Sequence, residues 1–89
     1  MENTENVFLD MGFPPDEAAV LLMRADMMVD LRKHIQKKGL TQTEAAAIFR
    51  VSQSRVSDLM RGKWEKFSLE MLITLATRAG MRVQIKLAA

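Results

Sequence analysis

Cysteine is absent from the 89 residues, which excludes a disulfide framework and any thiolate metal site. A single histidine, His34, lies between Lys33 and Lys37 on the polar side of a helical stretch, so a surface residue is expected there, not a metal ligand or catalyst. Long apolar runs are also missing. None approaches the roughly 18 to 20 residues that a membrane span needs, because Arg24, Asp26 and Asp30 interrupt the richest stretch. Nothing resembles a secretory or lipidation signal, so a cytoplasmic protein without membrane contact is expected. There is no paired nucleophile and base and no phosphate-cradling glycine loop, which argues against an enzyme and leaves no cofactor to expect. What is present is 48% hydrophobic residues with only 6% aromatics and 4 glycines, a composition suited to one small packed helical domain.

The net charge of +2 conceals an asymmetry. Residues 1–23 carry Glu2, Glu5, Asp10, Asp16 and Glu17 and no lysine or arginine, a charge of −5. From Arg24 onward thirteen basic residues stand against six acidic ones, leaving +7. A body of that sign attracts polyanions, whereas an acidic arm does not lie on phosphates.

Residues 1–13 place Val7, Phe8, Leu9, Met11 and Phe13 without sustained periodicity and read as an N-terminal arm. Pro15 suits the first position of a helix, with Asp16 and Glu17 complementing the positive end of its dipole. Ala18, Leu21, Leu22, Met28, Val29, Leu31 and Ile35 recur at helical spacing until Gly39, which follows Lys37 and Lys38, so a long first helix is predicted. Thr41-Gln42-Thr43-Glu44 is a capping box opening a short second helix through Phe49. Ser52 caps a third, ended by Gly62, and Ser68 caps a fourth with Leu69, Leu72, Ile73 and Ala76 as its stripe, closed by Arg78 and Gly80. The segment Met81-Arg82-Val83-Gln84-Ile85-Lys86-Leu87 alternates apolar and polar residues, the pattern of a half-buried strand. A solitary strand leaves its backbone groups unpaired, so Met81, Val83, Ile85 and Leu87 are expected to pair with a second copy. The expectation is thus an all-α domain over residues 14–80, of four main helices with the first one long, followed by a short C-terminal β-strand in a dimerisation tail, 81–89.

The second and third helices, joined by a tight turn at Arg50-Val51, make a helix-turn-helix pattern. Ala45, Ala46 and Ala47 allow close approach, and Val56 and Leu59 point inward. On the third helix Gln53, Ser54, Ser57, Asp58 and Arg61 share one polar face. Glutamine can bind adenine and arginine guanine in a bidentate way, and serine suits bases or phosphates, so this face is chemically able to read a major groove.

Leu40-Thr41-Gln42-Thr43-Glu44-Ala45-Ala46, Val51 through Leu59 and Arg61-Gly62-Lys63 resemble the Xre and Cro/repressor helix-turn-helix family. The wider frame resembles HigA-type antitoxins: Gly12-Phe13-Pro14-Pro15, Phe67-Ser68-Leu69 and Ala79-Gly80-Met81-Arg82-Val83. The resemblance implies a lambda-repressor-like domain. It also implies that Gln42 touches a phosphate, that Gln53 and Ser54 meet bases with Ser57 following, and that Arg61, Gly62 and Lys63 grip the DNA backbone. Arg55 flanks this face, where a phosphate contact and a surface ion pair are both open to it. Asp58 would repel phosphate unless it accepted from a cytosine amine, and plain solvation is expected. Trp64 is expected to bury against the fourth helix. The sequence departs from the family at Arg50, where glycine is common. A left-handed conformation there costs a non-glycine residue about 1 kcal/mol, though its charge can lie near a phosphate.

A homodimer presenting two such helices suits a palindromic operator with half-sites about 34 to 36 Å apart or a multiple of that distance. The resemblance further implies an antitoxin that binds a RelE-like ribonuclease toxin and represses their shared operon; the negative charge and apolar residues of the arm make Val7 to Phe13 the expected contact with such a basic toxin. A stand-alone phage-type repressor without a toxin is the alternative.

Overall fold

The computed structural model describes residues 6–89. The first five residues of the expected arm, with Glu2 and Glu5, lie outside the described residues. The described chain is all-helical: α1 (Val7–Asp10), α2 (Pro15–Lys37), α3 (Gln42–Phe49), α4 (Gln53–Met60), a single 3-10 turn (Trp64–Lys66) and α5 (Leu69–Arg78). The four helices read from periodicity are α2 to α5, and α1 is additional.

Local capping sets the boundaries. Pro15 opens α2, whose 23 residues reach about 35 Å at the usual rise. Thr41 Oγ1 accepts from Glu44 N at 3.1 Å and Glu44 Oε1 accepts from Thr41 N at 2.9 Å, completing the capping box of α3. Ser52 and Ser68 each accept from the amide three residues on, opening α4 and α5. At the other ends the Leu40, Lys63 and Met81 amides donate back to the Ile35, Asp58 and Ala76 carbonyls, each across a left-handed glycine, the Schellman arrangement. Helix α3 closes likewise, with Val51 N on Ala46 O. There the left-handed residue is Arg50 (φ 58°, ψ 48°), the one positive-φ residue other than glycine among those described.

The main core draws Met28, Leu31 and Ile35 from α2, Ala45, Ala46 and Phe49 from α3, Val56 and Leu59 from α4, Phe67, and Leu72, Leu75 and Ala76 from α5. Ala45 is fully buried, and the absence of a larger side chain there lets α3 lie against α4. Two arginines fasten elements to helix ends: Arg78 Nη1 donates to Phe49 O at 2.9 Å and Arg32 Nη1 to Leu59 O at 3.3 Å.

A second cluster sits at the start of α2. Phe8 of α1 is buried with Ala18 and Leu21, edge-on to Trp64 at 5.3 Å between ring centroids. Asn6 Nδ2 donates to Ala18 O at 3.0 Å, fixing α1 onto α2. Four residues make only one helical turn, too few for a periodic signal in the sequence. Trp64, expected to bury against the fourth helix, lies between the two clusters, packed on the main core and on Phe8 of α1.

The expected C-terminal strand does not form: among the described residues there is no strand, and residues 81–89 carry no regular structure. The physical reason is the one that made the strand need a second copy. A single chain of this fold has no edge for it to join. The tail runs back along α2 instead, with Met81 and Val83 half-buried on the main core, while Ile85 and Leu87 remain 54% and 97% exposed.

Candidate nucleic-acid interface

Helix α4 is built to show one face and hide the other. Val56 and Leu59 are essentially fully buried beneath it, and the opposite side carries Gln53, Ser54, Ser57, Asp58 and Arg61. Gln53 and Ser54 occupy its first turn and are exposed, Ser57 is half-buried, and Arg61 is the exposed C-cap residue. Eight residues span about 12 Å, comparable to the roughly 12 Å width of a B-form major groove. Gln42 stands at the first position of α3, exposed beside the capping box.

Cations frame this helix. Between residues 50 and 66 the sequence places Arg50, Arg55, Arg61, Lys63 and Lys66 against Asp58 and Glu65. Gly62, left-handed at φ 72°, turns the chain straight after Arg61. Its absent side chain leaves room for Arg32, whose Nη1 would lie 3.1 Å from an added Cβ.

Arg55 makes no ion pair among the described residues and is engaged within the fold. Its Nη1 donates to Lys66 O at 3.0 Å, and its guanidinium lies 5.5 Å from the centroid of the Phe67 ring, a cation–π contact. Four N–H donors remain after that bond. Asp58 is not merely solvated: its two oxygens lie 3.7 Å from Lys63 Nζ and 3.8 Å from Lys66 Nζ. Lys63 is thus beside the recognition face, half-buried and ion-paired.

The fold therefore places Gln53, Ser54, Ser57, Arg61 and Lys63 on or immediately after α4, Gln42 at the adjacent end of α3, and Arg55 along the flank. Lys66 is an addition, brought in by the 3-10 turn. No local pattern marks it, because its partner Asp58 is eight residues away across a reversal of the chain. Arg78, read as a cation near its own helix end, instead satisfies the last carbonyl of α3.

Two helices crossing through small residues, with the second exposing a polar face between flanking cations, are the geometry of a helix-turn-helix. A helix-turn-helix domain family model matches residues 7–88. The chain belongs to that family. Membership extends over α1 and most of the tail as well as the motif, and it supports a DNA-binding regulator. No curated protein matches the chain. No helix among the described residues is long and apolar enough to cross a membrane.

Proposed function

We propose that this helix-turn-helix protein is a sequence-specific, cytoplasmic transcriptional repressor that binds a palindromic operator as a homodimer. The observation that carries the reading is the exposed face of α4. Gln53 and Ser54 stand free at its N-terminal turn, where a recognition helix meets base edges, and Arg61 and Lys63 follow at its end. Gln53, Ser54 and Ser57 read bases. Gln42, Arg61, Lys63 and the unused donors of Arg55 hold phosphates. Ile85 and Leu87 carry the dimer contact: they are exposed apolar residues at the end of an alternating segment, whereas Met81 and Val83, expected to join them, are half-buried on the main core of one chain.

The HigA-type resemblance adds a protein partner, a basic RelE-like toxin, with operon repression by the antitoxin. The surface around α1 supports it. Val7, Leu9, Met11, Val20 and Met23 are exposed, and an open groove of about 460 Å³ lined by Phe13, Val20 and Leu21 is flanked by Asp16 and Glu17. Apolar contact with two carboxylates at its rim, beside the single cation Arg24, suits a basic protein. The stand-alone repressor has an observation of its own: Phe8 is buried against Ala18, Leu21 and Trp64, so α1 serves the fold whether or not a toxin exists. Replacing Val7, Leu9 and Met11 together by serine leaves Phe8 in place. Unchanged neutralisation of a toxin encoded alongside would reject the antitoxin surface.

The primary test is titration of the purified protein against its own upstream region and against random duplex at moderate salt, with footprinting on the former. Tighter binding to the upstream region and a two-fold symmetric footprint are expected. Equal indifference to both duplexes would remove the reading.

A further inference from the structure

The polar face of α4 carries one carboxylate where a DNA-reading surface gains nothing from negative charge. Asp58 sits between the bases of two lysines. Its Oδ1 is 3.7 Å from Lys63 Nζ and its Oδ2 3.8 Å from Lys66 Nζ, so each oxygen takes one ammonium. The backbone holds this arrangement from both sides. Lys63 N donates to Asp58 O at 3.1 Å, and Arg55 Nη1 fixes Lys66 O at 3.0 Å, tying the 3-10 turn to the flank of α4. The Asp58 side chain is only 20% exposed, whereas those of Lys63 and Lys66 are 38% and 52% exposed. Both lysines can therefore swing to an outside anion while the carboxylate stays where it is.

Two oxygens of one anion each holding an ammonium is how a phosphate would engage the same two lysines. We propose that Asp58 is an internal substitute for phosphate that holds Lys63 and Lys66 back from DNA and so lowers the backbone component of binding. This rests on the DNA-binding reading above. On random duplex nearly all affinity comes from cations that neutralise phosphates and release counterions. Here Lys63 and Lys66 must exchange Asp58 for a phosphate before they contribute, and the carboxylate remains beside the incoming backbone as a like charge. On the operator the contacts of Gln53 and Ser54 to bases add to the same backbone interactions, so the exchange is a cost common to both duplexes. The restraint matters most on random duplex, where binding rests on the backbone alone. Exposed ion pairs are weak, so the exchange costs a few-fold in affinity and does not prevent binding.

The test is Asp58→Asn, nearly isosteric and without the charge, titrated against random duplex and the upstream region at several salt concentrations. Affinity for random duplex is expected to rise about three- to tenfold, with the salt dependence steeper by about one ion. The upstream region gains by a similar factor, so the ratio of the two affinities is kept. Asp58→Glu keeps wild-type behaviour, and adding Lys66→Gln to Asp58→Asn reverses much of the gain, which a general change in folding would not do. Random-duplex affinity that is unchanged or weaker in Asp58→Asn, while the wild type binds DNA, overturns the proposal and makes Asp58 an organiser of the lysines. A wild type that binds neither duplex removes the DNA reading itself, and this inference with it.

Discussion

Replacing Arg50 by glycine is expected to stabilise the protein while weakening its hold on DNA. Arg50 ends α3 at φ 58° and ψ 48°, in the left-handed region, and among the described residues its side chain enters no hydrogen bond or ion pair. The three other long-helix ends of this type, at Gly39, Gly62 and Gly80, use glycine. A β-carbon in that conformation costs about 1 to 2 kcal/mol. Glycine at the same position loses about 0.4 to 1 kcal/mol through the greater freedom of the unfolded chain. The net gain is about 0.5 to 1 kcal/mol, and for a domain of this size that raises Tm by about 2 to 8 °C. Arg50→Asn should give an intermediate rise, since asparagine tolerates the conformation, and Arg50→Lys none. Thermal and urea unfolding followed by circular dichroism measure it. If the exposed guanidinium lies near a phosphate when DNA is bound, Arg50→Gly also flattens the salt dependence of binding by about one ion. A glycine variant that is no more stable than wild type would refute the reasoning, because the strain would then be relieved by a contact of the arginine.

The proposed roles on the face of α4 separate base reading from backbone grip. Gln53→Ala should relax preference at one base position by about 1 to 3 kcal/mol, whereas Lys63→Ala should weaken all duplexes alike and flatten the salt slope by about one. Equal losses from Gln53→Ala on cognate and random DNA, measured by fluorescence anisotropy, would take Gln53 out of base readout. Thr41→Ala removes one half of the capping box of α3 and should cost about 1 kcal/mol in unfolding free energy, checked by urea titration. Ile85→Glu with Leu87→Glu should shift the protein to monomer in sedimentation while leaving the circular dichroism spectrum unchanged. Each side chain gains about 1.5 to 3 kcal/mol when fully buried, and a dimer that survives both changes would place the interface elsewhere.

The helix boundaries were legible because capping is a local code. Thr41 with Glu44, Ser52 and Ser68 lie within three residues of the amides they satisfy, and Gly39, Gly62 and Gly80 mark the ends by their own conformational freedom. The polar face of α4 followed from periodicity for the same reason. Contacts across the fold were not legible. Phe8 meets Trp64 over 56 positions, and Arg78 reaches a carbonyl 29 residues back. Arg55, placed by sequence at the flank of a DNA surface, turned out to hold the following loop, because Phe67 and Lys66 O arrive only when the chain reverses at Gly62.

The tail shows a different limit. Alternation states that a segment has an apolar side and a polar side, and says nothing of what the apolar side meets. In one chain Met81 and Val83 satisfy that pattern by packing on α2 and α5, without strand geometry, because side-chain burial is open to them and backbone pairing is not. Ile85 and Leu87 continue the alternation past the reach of the core and stay exposed. A pattern satisfied at its start and unsatisfied at its end leaves two apolar side chains on the surface, where the proposed dimer would cover them. The same division holds at α4, where Val56 and Leu59 complete the domain and Gln53, Ser54 and Arg61 are left facing outward. Both surfaces are the residues that the folding of one chain does not consume, and in the proposed dimer the first would join two copies of the second on one duplex.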